Sequence, residues 1–233
     1  MLLKYPRTRH LRGSRLQPGD EDLAAAPFRE IAGRFLVVEE KLDGANCGIS
    51  FGPDGELLLQ SRGHYLTGGP RERQFAPLKA WASAVRHRLW PVLGERHVMY
   101  GEWLYARHTV RYDALPHYFC EFDVYDREEG VFLSTAARRE LLDGLPVTPV
   151  PVLHEGPLPS LDALTALLGR SLYSSEPAEG LYVKVEDGRE TVGRFKWVRS
   201  SFLTEILDSG SHWADRPIEP NGLADPAVMY EDL

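Results

Sequence analysis

The stretch from Arg34 to Phe51 constrains the fold most, because FLVVEEKL and ANCGISF are two strand-like runs separated only by Asp43-Gly44. An Asp-Gly pair between apolar runs is a strong turn signal, so the spacing predicts a strand, a hairpin turn and a second strand. A further turn at Pro53-Asp54-Gly55 leads into a third strand, ELLLQSR, and strand signals return in HVMYGEWLY, HYFCEFDVYD, GLYVKVED and TVGRFKWVR. Helical patterns lie between them. Phe75, Leu78, Trp81, Ala82, Val85 and Leu89 recur at helical spacing between Pro70 and Trp90. Ser134 reads as the N-cap of AARRELLDGL, ended by Gly144, and Ser160 as the N-cap of LDALTALLG. SSFLTEILDSG reads as a last short helix closed by Gly210. Strands in hairpin-like succession with helices inserted predict an α+β fold on antiparallel sheets rather than a doubly wound parallel one.

With 233 residues, 43% of them hydrophobic, there is material for one substantial core. The net charge of −7 argues against a protein that coats nucleic acid through bulk positive charge, though a local basic groove remains open. Lys4, Arg7, Arg9, His10, Arg12 and Arg15 precede the first acid, Asp20, and read as a basic arm able to meet nucleic acid. Cys47 and Cys120 form no C-x-x-C pair, so neither a zinc site nor a disulfide framework is signalled and a reducing, cytoplasmic setting is expected. The longest apolar runs are too short to span a bilayer, and the N-terminus lacks the apolar core of a secretory signal. Neither G-x-x-x-x-G-K-[ST] nor G-x-G-x-x-G occurs, so any nucleotide must be held by another device.

Six segments carry the residues with chemical potential: Glu40-Lys41-Leu42-Asp43-Gly44, Ser61-Arg62-Gly63, Gly101-Glu102-Trp103, Glu121-Phe122-Asp123, Glu179-Gly180-Leu181-Tyr182-Val183-Lys184 and Arg194-Phe195-Lys196-Trp197. In this order they resemble the motifs of the covalent nucleotidyltransferases, which comprise DNA ligases, RNA ligases and mRNA capping enzymes. EKLDGAN, GEWLYA, FDVYD and EGLYVK look most like ATP-dependent RNA ligases, and the resemblance runs from about Lys41 to Lys196. It implies an ATP-grasp-like nucleotidyltransferase (adenylation) domain of antiparallel sheets flanked by helices. A single such domain over 1–233 is expected, with 1–22 a basic N-terminal arm and 200–233 a short C-terminal extension. The stretch after Lys196 is short for the OB-fold that DNA ligases and capping enzymes usually carry, so a minimal catalytic domain is expected.

The resemblance also assigns roles. Lys41 matches the nucleophile that attacks the α-phosphate of ATP, expels pyrophosphate and keeps AMP as a phosphoramidate. A lysine of pKa about 10.4 in water must first lose its proton, and nearby cations or desolvation favour that loss. Lys184 and Lys196 match phosphate-contacting lysines. Strand alternation puts Tyr182 and Lys184 opposite Leu181, Val183 and Val185, off the core face. Arg194 stands where the family often has another lysine and keeps the charge without the compact ammonium. Glu179 matches the acid that helps hold Mg²⁺ or Mn²⁺; Mg²⁺ prefers oxygen ligands and retains several waters. Glu102 matches the ribose contact, Phe122 the aromatic on the purine, and Arg62 an arginine of nucleotide or strand-end binding. Glu40 is the adenine-side candidate through its backbone, and Asp43 shapes the turn or orients the pocket.

Structural alternatives stand beside each role: a solvated turn lysine at 41, salt-bridging strand lysines at 184 and 196, and surface acids at 102 and 179. For Phe122 the alternative is an apolar strand face shared with Cys120 and Val124. His64, Arg107, His108 and Arg111 lie near the motifs as candidates for RNA phosphates. The expected activity is RNA ligation in repair, in which AMP passes from Lys41 to an RNA 5′-phosphate and a 3′-hydroxyl displaces it. The expected partners are RNA ends and an end-healing kinase or phosphatase. The rival expectations are a DNA or hybrid ligase, a capping-type GMP transferase, and a non-catalytic nucleotide- or RNA-binding module on the same fold.

Overall fold

The computed structural model describes residues 2–16, 23–202 and 217–229. In chain order the elements are β1 (Arg9–His10), β2 (Phe35–Lys41), β3 (Ala45–Phe51), β4 (Leu57–Ser61), α1 (Ala76–Leu93), β5 (His97–Trp103), β6 (Phe119–Asp126) and β7 (Val131–Phe132). There follow α2 (Thr135–Leu141), β8 (Thr148–Pro149), β9 (Val152–Gly156), α3 (Leu161–Thr165), β10 (Gly180–Asp187) and β11 (Glu190–Val198). The strands form two mainly antiparallel sheets. One has the order β1-β11-β10-β2-β9; the other runs β4-β3-β5-β6-β7, with β8 alongside β6.

This topology corrects the first expectation. β2 and β3 do not form a hairpin, because they belong to different sheets and the Asp43-Gly44 corner carries the chain across from one to the other. Gly44 is needed there for close approach: a Cβ would lie 2.6 Å from the Trp103 carbonyl oxygen. The Asp43 carboxylate meanwhile accepts the amides of Thr109 and Val110 at 2.7 and 2.8 Å. Turn chemistry at 53–55 does close a hairpin, with Asp54 and Gly55 at φ 63° and 74° and Phe51 paired to Leu57.

Each sheet buries its outer face under a different cover. Leu36, Val38, Leu181, Val183 and Phe195 of the first sheet pack with Leu11, Ile31, Leu158 and Leu164. Ile49, Phe51, Met99 and Phe119 of the second pack on the stripe of α1 formed by Leu78, Trp81, Ala82, Val85 and Leu89. Fully burying each such side chain contributes about 1.5–3 kcal/mol. α1 follows a 3₁₀ segment, Pro70–Phe75, and runs past Trp90 to Leu93, with Pro91 in its last turn. The Ser134 and Ser160 hydroxyls accept the amides of Ala137 and Ala163, so both expected caps form. The basic arm contributes β1, which pairs in parallel with β11, Arg9 opposite Phe195 and His10 opposite Lys196. Of the helix expected to close at Gly210, only the start is described; residues 203–216 lie outside the described residues.

A second correction concerns β6. Gly101 pairs with Glu121 and Tyr100 with Asp123, which leaves Phe122 as the extra residue of a β-bulge. The bulge reverses the facing of the strand beyond it. Val124 therefore joins Phe119 in the core under α1 instead of sharing a face with Phe122.

Candidate active site

The inner faces of the sheets part at one end around a cavity of about 610 Å³, within the range usual for small-molecule sites. Lys41, the last residue of β2, enters it beside Gly180, its partner on β10. Its ammonium sits 2.6 Å from Glu179 Oε1, with the carboxylate almost fully buried. Glu40, Asp43, Arg62, Glu102, Phe122, Glu179 and Lys196 all line the same cavity. The fold thus gathers eight of the ten expected site residues, drawn from all six motif segments.

Electrostatics in this space are dominated by acids. Burial alone would lower the pKa of Lys41, but Glu179 foremost, then Glu102 and Asp43, raise it above its ordinary value. Of the two influences able to favour proton loss, desolvation is present but is outweighed by the acids, so without ligand the site holds Lys41 as an ammonium. Burial pushes the Glu102 carboxyl up to about 8, opposed by Lys41 and reinforced by Glu179 and Asp43, while Glu102 Oε1 accepts the Gly44 amide at 3.0 Å. Burial likewise raises Asp43, against the pull of the Val110 amide, Lys41 and the Thr109 amide. Glu179, Glu102 and Asp43 gather carboxyl oxygens around Lys41, and a divalent cation suits such an oxygen-rich site. No cage of three or more metal-ligating side chains exists among the described residues. That suits a Mg²⁺-type ion held by one carboxylate, phosphate oxygens and water.

Glu40 is buried and its Oε2 accepts the Leu172 amide at 3.0 Å, while Oε1 has no hydrogen-bond partner among the described residues. Burial raises its pKa, partly offset by the Leu172 amide and by Ser171. Phe122 presents its ring between Tyr5 and Tyr182, with centroids at 5.1 and 6.3 Å. Arg62 is exposed at the rim.

Lys184 and Arg194 are not brought to the cavity. The inward-facing cross-strand pairs of β10 and β11 are Tyr182–Lys196 and Lys184–Arg194. The first reaches the cavity, and the second lies one pleat deeper, where the sheets close on each other. There Lys184, fully buried, contacts Glu39 Oε1 at 3.0 Å, Asp123 Oδ1 at 3.2 Å and the Phe122 carbonyl. Arg194 donates to Asp123 Oδ2 at 2.9 Å and lies 3.6 Å over the Phe132 ring. For Lys184 the ion-paired alternative describes the geometry, and Arg194 is ion-paired beside it.

Two features escaped the sequence reading. Arg138 of α2 is buried and bridges the sheets, 2.8 Å from Glu39 Oε1 of β2 and 2.9 Å from Glu121 Oε2 of β6; nothing in a helical Arg-Arg pair signals this. The N-terminal segment also walls the cavity with Tyr5, Pro6 and Thr8. Tyr5 donates to Asp123 at 2.5 Å and contacts the Tyr182 hydroxyl at 2.7 Å. The alternation within GLYVKV did place Tyr182 on this face; Tyr5 had no such signal.

Two antiparallel sheets opening on a lysine-and-carboxylate cavity define a nucleotidyltransferase adenylation fold. Residues 34–198, more than half of the chain, match the sequence model of the family described as RNA ligase, and the chain belongs to that family. Solved structures agree on the fold. A substituted form of the Naegleria gruberi RNA ligase with ATP and Mn superposes with a TM-score of 0.58 at 20% identity, over 78% of this chain and 54% of that one. The same ligase with PPi gives 0.60 at 23% identity, over 77% and 53%. Another substituted form, with AMP and Mn, gives 0.59 at 18%, over 89% and 59%. The chain thus spans little more than half the length of that ligase. No curated protein shows significant sequence similarity to it. No helix among the described residues is long and apolar enough to cross a membrane.

Proposed function

We propose that the chain is an ATP-dependent RNA ligase in which Lys41 becomes covalently adenylylated, acting on RNA ends in repair. The observation that carries this reading is the placement of Lys41 on a buried carboxylate at the junction of both sheets, inside a cavity lined by an aromatic ring, a second lysine and an arginine. In the first step Lys41, an ammonium in the ligand-free site, gives up its protons to solvent as its neutral Nζ attacks the α-phosphorus of ATP, the bond to the pyrophosphate oxygen breaks, and a P–N bond forms. An oxygen of an RNA 5′-phosphate then attacks the same phosphorus and releases Lys41. Finally a 3′-hydroxyl attacks the RNA phosphate, and AMP leaves.

The residues divide this work. Phe122, with Tyr5 and Tyr182 behind it, offers an apolar wall for the base, and the backbone at Glu40 edges it. Glu102 faces the ribose, and Lys196 supplies positive charge for the α-phosphate. Arg62 at the rim meets the incoming strand end. Glu179 is the residue to hold Mg²⁺ or Mn²⁺, which when bound supplies charge neutralisation to the phosphates and to the acids around Lys41. Lys184 and Arg194 act at one remove by fixing Glu39 and Asp123. A cytoplasmic setting and an end-healing kinase or phosphatase as partner accompany this proposal, as does a single domain over 1–233.

Incubation with α-labelled ATP or GTP and Mg²⁺, followed by denaturing electrophoresis, tests it. Label from ATP on the wild type and none on Lys41→Ala is expected, with nicked RNA sealed in preference to nicked DNA. Absence of label in folded, AMP-free protein would overturn the mechanism.

A further inference from the structure

The segment from Pro217 to Met229 lies outside the stretch that matches the family, and nothing in the six motifs gives it a role. In the structure it is laced to the loop between β5 and β6. Ala106 bridges to Pro220 and Leu115 to Leu223. The Arg107 amide donates to the Glu219 carbonyl (2.8 Å), the Leu115 amide to Gly222 (3.0 Å), and the amides of Gly222 and Ala224 to Tyr112 and Leu115 (2.8 and 2.9 Å). Gly222 fits so closely that a Cβ would lie 2.9 Å from the Asp113 carbonyl oxygen.

Asn221 is the centre of this lacing. Buried, it donates Nδ2 to the Leu104 carbonyl at 2.8 Å and accepts the Tyr112 amide on Oδ1 at 3.0 Å. Its own amide donates to Tyr105 at 2.8 Å, and its carbonyl accepts the Tyr118 hydroxyl at 2.9 Å. One side chain thereby satisfies two backbone groups of an irregular buried loop, which would otherwise be costly to leave unpaired.

That loop in turn holds the corner next to the nucleophile. The fully buried Tyr112 hydroxyl accepts the Asp43 amide at 2.8 Å, and the amides of Thr109 and Val110 bind the Asp43 carboxylate. Asp43 lies two residues from Lys41, on the only stretch that joins β2 to β3. The corner is thus clamped from one side by Tyr112 and from the other by Gly44 against Trp103.

We infer that Asn221 and Tyr112 are positioning residues for the transfer to Lys41: the C-terminal segment is a strap that fixes the 104–115 loop, and through it the Asp43-Gly44 corner that aims the nucleophile. The inference rests on the ligase reading and deepens it. Neither residue lines the cavity, so their loss alters aim without removing a ligand contact. Small misplacements of a reacting group cost rate disproportionately, since a productive geometry requires near-contact alignment.

The test is single-turnover AMP uptake from α-labelled ATP by the full chain, comparing wild type, Tyr112→Phe and Asn221→Ala, each corrected for folded fraction. Both variants are expected to lose about tenfold in the saturating rate, the factor carried by one net hydrogen bond, with the half-saturating ATP concentration within about twofold. A purely structural role would lower the melting temperature but leave the rate per folded molecule unchanged, and that result overturns the inference. If Asn221→Ala does not fold, Tyr112→Phe, which deletes one oxygen at constant shape, decides alone. If the wild type itself takes no label, the ligase reading fails separately. Amide hydrogen exchange then judges the strap. Faster exchange at Asp43, Thr109 and Val110 in Tyr112→Phe upholds the coupling, and unchanged exchange refutes it.

Discussion

The substitution Glu102→Gln should make the protein more stable at alkaline pH while impairing nucleotide handling. The folded state raises the Glu102 carboxyl from 4.5 to about 8, chiefly by burial. Below pH 4.5 the group is neutral in both folded and unfolded chains and contributes no pH dependence. Between 4.5 and 8 the unfolded chain releases the proton and the folded one retains it, so stability falls with rising pH. Above 8 the loss is complete. At about 1.4 kcal/mol per pKa unit, the full displacement corresponds to on the order of 4–5 kcal/mol. A glutamine side chain would keep an acceptor for the Gly44 amide but bury a polar amide, a cost of about 1–3 kcal/mol. A net gain of roughly 2 kcal/mol remains, or about 4–8 °C in melting temperature for a chain of this size. Calorimetry of both proteins from pH 4 to 9, without metal, reads the difference: the variant about 1–3 kcal/mol less stable at pH 4, overtaking wild type as pH rises and about 2 kcal/mol more stable by pH 8–9. A gap independent of pH, or a variant less stable than wild type at pH 9, would refute the electrostatic account of the cavity.

Three further outcomes follow from the same geometry. Glu179→Gln removes the foremost group raising Lys41, so without metal Lys41 should react with an amine-directed acylating reagent at lower pH than in wild type, as peptide mapping would show. Arg138→Met strands Glu121, already pushed up to about 7 by burial, and leaves Glu39 with Lys184; it should cost about 3–5 kcal/mol in urea unfolding, and adding Glu121→Gln should recover part of that loss. Gly180→Ala places a Cβ 2.1 Å from the Trp197 carbonyl oxygen, beside both Glu179 and Lys41. It should lower stability by about 1–3 kcal/mol or more and depress AMP uptake further than the unfolded fraction explains.

Local signals carried much of this structure. The α1 stripe, both serine caps, the strands around GEWLY, FDVYD and GLYVK, and the 53–55 hairpin all follow from periodicity and turn chemistry. What those signals do not encode is partnership. Asp43-Gly44 looks the same whether the next strand returns beside the last one or crosses to another sheet; contacts with Thr109, Val110 and Trp103, more than fifty residues away, make the choice. β9 was hidden because prolines surround it, and an edge strand tolerates them. The bulge at Phe122 depends on its pairing with β5, which no window along β6 contains. Alternation put Lys184 on the correct face of β10, yet it could not show how far along that face the cavity extends. For the same reason Tyr5 looked like part of a loose arm.

The ionic layer deeper between the sheets brings together three acids, Glu39, Glu121 and Asp123, and three bases, Arg138, Lys184 and Arg194, on strands of both sheets and on α2. Its strength depends differently on the surroundings from that of the apolar cores outside it. Dissolved salt screens exposed charges but reaches buried ones poorly, so the joint between the sheets should hold at ionic strengths that screen the exposed charges at the rim. Warming lessens the cost of desolvating ions while the hydrophobic contribution levels off. The halves flanking the cavity are thus fastened by the component of the fold that heat weakens least.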